Sequence, residues 1–184
     1  YLAVGSYSRE SSKGAVETYS LQGDSWVKYG QSLDGVEGSN SGYSVGISDD
    51  GESLVFGGMG GAAEVKVFDL SQNQWQERPK LLSVSTRGVD ISSDGSYVSI
   101  SSGSSTEIFE YDGVSWAKKG QTIDVGWGFF DMSTNGNYIV IPQPFYNSVS
   151  NIGSIIEEEI GAVYFYQFSS HLQLFRYIFY LYFY

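Results

Sequence analysis

The sequence predicts an all-β fold, a β-propeller of about four four-stranded antiparallel blades with the first blade incomplete. Three observations lead there. The outline "ISDDGESLVFGG", beginning at Ile47, returns as "ISSDGSYVSISSG" and again as "MSTNGNYIVIPQP". The turn glycines of the three copies, Gly51, Gly95 and Gly136, are 44 and 41 residues apart, which is the period of a propeller blade. Finally, 23 glycines, only 3 prolines and 16% aromatic residues suit short twisted strands joined by tight turns.

Each full unit opens on a short apolar strand that ends before Asp50-Gly51, Asp94-Gly95 or Asn135-Gly136. Such a pair supplies the positive backbone angles of a two-residue hairpin turn, so it joins two antiparallel strands. Beyond the turn, apolar residues take alternate positions, Leu54 and Phe56, Val98 and Ile100, Ile139 and Ile141. One face of each strand is then buried between neighbouring sheets. Leu2 and Val4 fit the same slots, which makes the opening residues a unit without its innermost strand.

A third strand follows in "GAVETYSLQGDSW", "AEVKVFDLSQNQW", "TEIFEYDGVSW" and "GAVYFYQFSSHLQL", with Tyr19, Phe68, Phe109 and Tyr166 at its centre. In the first three units a tryptophan comes seven residues later, as Trp26, Trp75 and Trp116. It opens an outer strand, where its ring can cover the sheet edge and still reach a hydrogen-bond partner. The competing reading is an aromatic platform for sugars. Packing is favoured, because a ligand contact seldom needs the same residue in every copy.

The units fall at about 1–33, 43–86, 87–127 and 128–171, and an arc of this kind reads as a segment of a larger propeller. The opening "YLAVGSY" has no signal-peptide pattern before it and is read as cut from something longer. From Leu172 the alternation breaks into "LQLFRYIFYLYFY", and Gln173 stands where the tryptophan would be. This run is shorter than the roughly 20 residues of a membrane helix. Residues 172–184 are expected to lie outside the propeller as sequence translated beyond the coding frame, with an added core strand as the second expectation. Membrane docking comes last, since Arg176 is the only basic residue there.

The stretch "LVFGGMGGAAEVKVFDLSQNQWQERP", with its double glycine, its aromatic-Asp strand end and its tryptophan, resembles a Kelch blade. The other units depart from it, with "SISSG" and "VIPQP" in place of the double glycine. Their "IS.DG" openings are closer to tryptophan-aspartate or FG-GAP-type propeller repeats. "SWVKYGQSLDG", echoed in "SWAKKGQTIDV", is similar to tandem repeats of algal and bacterial surface proteins. The resemblance implies a propeller acting as a binding module, and it carries over no catalytic residue. FG-GAP repeats commonly hold calcium, but "SDDG" and "SSDG" offer too few oxygens at the wrong spacing.

Twenty-one acidic against ten basic residues leave a formal charge of -11, which repels phosphate backbones and argues against nucleic acid as a partner. There are no cysteines, which removes disulfides, thiolate nucleophiles and cysteine-ligated zinc. The single histidine, His171, has no second histidine with which to share a metal, and a serine nucleophile would lack a placed base. No cofactor and no metal are expected. Glu157, Glu158 and Glu159 lie together in a long insertion, and three consecutive acids do not give the spacing of a glycosidase pair.

Function in propellers lives in the loops at one end of the ring. Arg9, Arg87, Trp127, Phe145 and Tyr146 are the loop side chains of the types in which binding energy concentrates. The expectation is a non-enzymatic binding or scaffold module for protein or glycan, from a secreted or surface repeat protein. A sugar-acting propeller enzyme of the glycosidase or lyase type and a purely architectural repeat are the alternatives.

Overall fold

The computed structural model describes residues 1–124, 130–146, 160–168 and 174–180. Its strands form four antiparallel sheets. The first holds β1 (Leu2–Gly5), β2 (Ala15–Gln22) and β3 (Ser25–Asp34), with the single turn α1 (Arg9–Ser12) between β1 and β2. The second holds β4 (Ser44–Ile47), β5 (Ser53–Gly57), β6 (Lys66–Ser71) and β7 (Gln74–Glu77). The third holds β8 (Gly88–Ile91), β9 (Tyr97–Ser102), β10 (Ser105–Tyr111) and β11 (Trp116–Ile123). The fourth holds β12 (Asp131–Met132), β13 (Tyr138–Tyr146), β14 (Ile160–Phe168) and β15 (Leu174–Tyr180).

Strand order follows chain order in every sheet, and register repeats with it. Leu2 faces Tyr19, Leu54 faces Phe68, Val98 faces Phe109 and Ile139 faces Tyr166. Thus β1 occupies the slot of β5, β9 and β13, and among the described residues no strand lies inside β1 in the first sheet. The innermost strands touch one another in sequence, β4 against β8 and β8 against β12, while β1 lies against β4. The sheets therefore stack around a common axis as a partial β-propeller.

Burial follows the alternation. One apolar cluster joins Val16 and Leu33 of the first sheet to Leu54, Phe56, Phe68 and Trp75 of the second. A second joins Val55 and Val67 to Val98, Ile100 and Phe109, and a third joins Ile108 and Ile123 to Met132, Ile139, Ile141 and Tyr166. Each strand thus gives alternate residues to the sheet before it and the sheet after it. Trp75 is buried and donates from Nε1 to the Thr18 hydroxyl at 3.1 Å, and Trp116 donates to the Pro79 carbonyl at 3.0 Å. Trp26, in the same slot of the first sheet, is exposed.

The Asp-Gly turns differ from the two-residue hairpins expected. β4 ends at Ile47 and β5 begins only at Ser53. The glycine alone takes a positive φ, 72° at Gly51, 71° at Gly95 and 63° at Gly136. The preceding acid or amide works through its side chain. Asp50 Oδ1 accepts from the Ser48 hydroxyl at 2.6 Å and the Glu52 N–H at 2.9 Å, and the Ser48 hydroxyl oxygen accepts from the Ser53 N–H at 2.9 Å. Ser92 with Asp94 and Ser133 with Asn135 repeat the arrangement. A short polar side chain that bonds its own backbone two residues on makes a wider turn than the primed types.

β15 falls within residues 172–184, which the sequence places outside the propeller. Its backbone pairs with β14 from Ala162↔Tyr180 to Phe168↔Leu174, in the outer position held by β3, β7 and β11. Tyrosine, phenylalanine and isoleucine favour the pleated backbone, and the edge of β14 offers unpaired groups to any such strand.

Candidate functional site

Because neighbouring strands alternate in direction, every connection falls at one of two ends of the arc. One end carries the Asp-Gly turns and the short turns at 23–24, 72–73 and 112–115, whose polar groups are largely consumed internally, as at Asp112 with Val114 and Ser115. The other end carries the loops 6–14, 35–43, 58–65, 78–87 and 103–104. The second end is where side chains are available to a partner.

Backbone hydrogen bonds lock these loops into one rim. The Asn40 and Ser41 N–H groups donate to the Ser12 and Lys13 carbonyls at 2.8 and 3.0 Å. Gly60 N–H donates to the Ser39 carbonyl at 3.1 Å, and Thr86 N–H to the Gly58 carbonyl at 2.8 Å. The double-glycine stretch allows the crossing, since a Cβ on Gly58 would run into the Ser39 carbonyl and one on Gly60 into that of Gly38. Below the rim, Ser39 Oγ donates to the Lys13 carbonyl at 2.9 Å and lies 2.9 Å from Ser41 Oγ.

On this rim Tyr7, from the β1–β2 loop, meets Tyr43, just before β4, edge to face with ring centroids 5.5 Å apart. Both rings are about half exposed, at 48% and 41%. Asn40, at φ 52°, donates its amide to the Tyr7 carbonyl at 3.4 Å. Met59 and Val36 are also exposed on the rim. Arg9 is in the same loop as Tyr7, inside α1, where Glu10 and Ser11 hold left-handed φ of 47° and 57°. Its guanidinium makes an exposed pair with Glu10 at 3.4 Å.

The structure brings Arg9, Arg87 and the end of β13 to the same rim. Arg87 is exposed, and its N–H donates to the Ser101 carbonyl at 2.9 Å. Phe145 and Tyr146 close β13, where the backbone of Tyr146 faces Ile160. Trp127, the glutamates 157–159 and His171 lie outside the described residues. Tyr7 and Tyr43 are exposed rim aromatics that the sequence does not single out. Their signal was there, a tyrosine set among glycine and serine in a loop, but nothing in the chain says that two loops would lay them together.

A shallow cleft of about 460 Å³ opens between residues 60–64, 83–85 and Val36. Its acid, Glu64, is held below the usual carboxylate range, first by the hydrogen bond from Lys80. An acid kept ionised in this way is a poor proton donor. On the axial side, Asp90 of β8 accepts from Ile91 N–H at 2.9 Å and from Met132 N–H at 3.0 Å, linking the third and fourth sheets. Burial pushes its carboxyl up to about 6, against the pull of those two backbone donors. Among the described residues, no three His, Cys, Asp or Glu side chains converge as a metal site. No helix there is long and apolar enough to cross a membrane.

No protein-family model matches the chain, and no curated protein matches it. Solved structures resemble it in fold. A provisionally assigned 6-phosphogluconolactonase of Bacteroides uniformis superposes with a TM-score of 0.57 at 14% identity, over 90% of this chain and 48% of that one. Its counterpart from Bacteroides fragilis gives 0.55 at 13%, over 88% and 47%. The Kuenenia stuttgartiensis hydrazine synthase gives 0.52 at 16%, over 85% and 41%. This chain spans about half the length of the two Bacteroides structures.

Proposed function

We propose that this chain is a non-enzymatic binding module that engages a protein partner through its loop rim. The observation that carries this reading is the exposed Tyr7–Tyr43 pair on a rim locked by backbone hydrogen bonds. Tyrosine, methionine and arginine are the residue types enriched at protein interfaces, and Tyr7, Tyr43, Met59, Arg9 and Arg87 supply all three at this one end. A rim already ordered gives up little conformational freedom on binding. Within this reading the second blade is Kelch-like, a view supported by the close loop crossing at Gly58 and Gly60.

The test is affinity capture with the wild-type chain and a Tyr7→Ala/Tyr43→Ala variant, with a glycan array run in parallel. We expect a protein retained by the wild type and weakened about tenfold or more by the double variant, a loss of at least ~1.4 kcal/mol. Partner retention unchanged by that variant, or glycan binding alone, overturns the protein-binding reading. Turnover of glycosides or esters that is lost on changing a loop acid overturns the non-enzymatic part.

A further inference from the structure

The segments before β6 and after β7 run side by side toward the rim and then part. Val65 N–H donates to the Leu82 carbonyl at 2.9 Å in an antiparallel bridge, and Thr86 N–H donates to the Gly58 carbonyl at 2.8 Å. Between these two ties stand six residues on one side, 59–64, and three on the other, 83–85. Runs of unequal length cannot pair residue for residue, and the shallow cleft of about 460 Å³ lies between them. A volume of this size is in the range of ligand sites. Among the described residues, Ser83, Val84 and Ser85 neither give nor accept a backbone hydrogen bond, and the same is true of Gly61, Ala62 and Glu64. Ser83, Ser85, Gly61 and Ala62 are exposed, and a Cβ on Gly61 would meet nothing within 4 Å. Open N–H and C=O groups in a row are a template for another backbone.

We propose that the cleft takes an extended peptide segment of the protein partner, paired main chain to main chain with Ser83–Ser85 and bearing a basic side chain toward Glu37. This rests on the protein-binding reading of the rim and names what the partner must present. Main-chain hydrogen bonds give an added strand its affinity, while the side chains beside it set its specificity. The walls leave room for that backbone, since Gly60, Gly61, Ala62 and Ala63 face Ser83, Val84 and Ser85 with small side chains or none. Two observations set the charge. Glu37, next to Val36 of the cleft wall, is exposed and makes no ion pair among the described residues. The chain as a whole carries -11, a field that draws in cationic segments. An anionic ligand finds no such welcome, because Lys80 beside the cleft is already held by Glu64.

Random linear peptides displayed on phage and selected against the immobilised chain supply the probe, and the most enriched sequence is synthesised for fluorescence anisotropy. We expect it to carry lysine or arginine and to bind more weakly as salt is added. Methylating its backbone nitrogens one at a time removes donors without touching a side chain, and at some positions should weaken binding by about tenfold or more. Ala62→Trp, which fills the cleft, and Ser85→Pro, which removes an edge N–H, should weaken it as much, and Glu37→Lys should do so by reversing the charge. The methylated peptides use the wild-type chain, so they decide the matter even if a variant fails to fold. No enriched peptide, enrichment of acidic peptides, indifference to backbone methylation, or indifference to both cleft variants overturns the proposal. Capture of a partner that is weakened by Tyr7→Ala/Tyr43→Ala but not by Ala62→Trp or Ser85→Pro overturns the cleft alone and leaves the rim reading standing. Capture lost on the cleft variants but unchanged by the tyrosine variant supports the cleft and removes the tyrosine pair.

Discussion

Arg78, just past β7, donates from Nη1 to the carbonyl oxygen of Gly95 at 2.7 Å and so fastens the second sheet to the turn of the third. The same guanidinium holds both oxygens of Asp69, at 2.6 and 2.9 Å, and the Ser53 hydroxyl at 3.0 Å. It also lies 4.5 Å from the centre of the Tyr111 ring. Its side chain is only 8% exposed. Hydrogen bonds to a charged group are each worth about 1.5–3 kcal/mol. Arg78→Ala should therefore destabilise the fold by about 2–4 kcal/mol in urea unfolding. Arg78→Lys should recover less than half of that, because an ammonium cannot reproduce the planar fork.

Trp75→Ala removes a buried ring from the contact between the first and second sheets and leaves the Thr18 hydroxyl without its indole donor. Truncations of this kind cost about 3–5 kcal/mol. Thermal unfolding should show the loss. Trp116, whose ring is only half-buried, should cost less on the same change.

The pH dependence of stability should carry the mark of Asp90. Its carboxyl rises from 3.8 to about 6 on folding, so the folded chain prefers the protonated form. That contribution is complete below about pH 4 and is lost as pH rises through 6, for a total of at most ~3 kcal/mol. Asp90→Asn keeps an acceptor for Met132 N–H and removes the titration. It should be more stable than the wild type at pH 8 by about 1–3 kcal/mol, and the two should converge near pH 4. A constant difference across that range would exclude Asp90 as the cause.

Ser99 and Ser101 of β9 are fully buried, and neither hydroxyl has a hydrogen-bond partner among the described residues. A buried hydroxyl without a partner costs free energy that a methyl group does not. Ser99→Ala should raise the unfolding midpoint, by about 1 kcal/mol in stability. A drop would mean that the hydroxyl is satisfied in solution.

How much of this was legible in the sequence depends on whether a slot keeps its chemical character. The slot of Leu54, Val98 and Ile139 stays apolar and the turn glycines stay glycine, so the blades and their order could be read directly. The latch onto the next turn could not. Arg78 performs it between the second and third sheets, while between the first and second it is Tyr29, which donates from its hydroxyl to the Gly51 carbonyl at 3.0 Å. No pattern of letters links an arginine to a tyrosine. The turn geometry escapes the sequence for a related reason. Asp-Gly announces a bend, but Ser48, two residues earlier, decides how wide it is. At the candidate site, Arg9 and Arg87 were visible by residue type, whereas the Tyr7–Tyr43 pairing belongs to the folded rim alone.

One arrangement on the sheets shows what recurs in this molecule. Glu17 of β2 takes Lys28 Nζ of β3 at 2.7 Å and Ser32 Oγ at 2.9 Å, and Glu107 of β10 takes Lys118 Nζ and Thr122 Oγ1 at 2.6 and 2.9 Å. In the second sheet the signs are exchanged, with Lys66 in the glutamate's place and Glu77 in the lysine's, 3.2 Å apart. Attraction between opposite charges has no handedness along the strand, so the swap leaves the backbone undisturbed. Inheritance here is of complementarity between facing positions, and comparison by residue identity loses the kinship where the physics retains it.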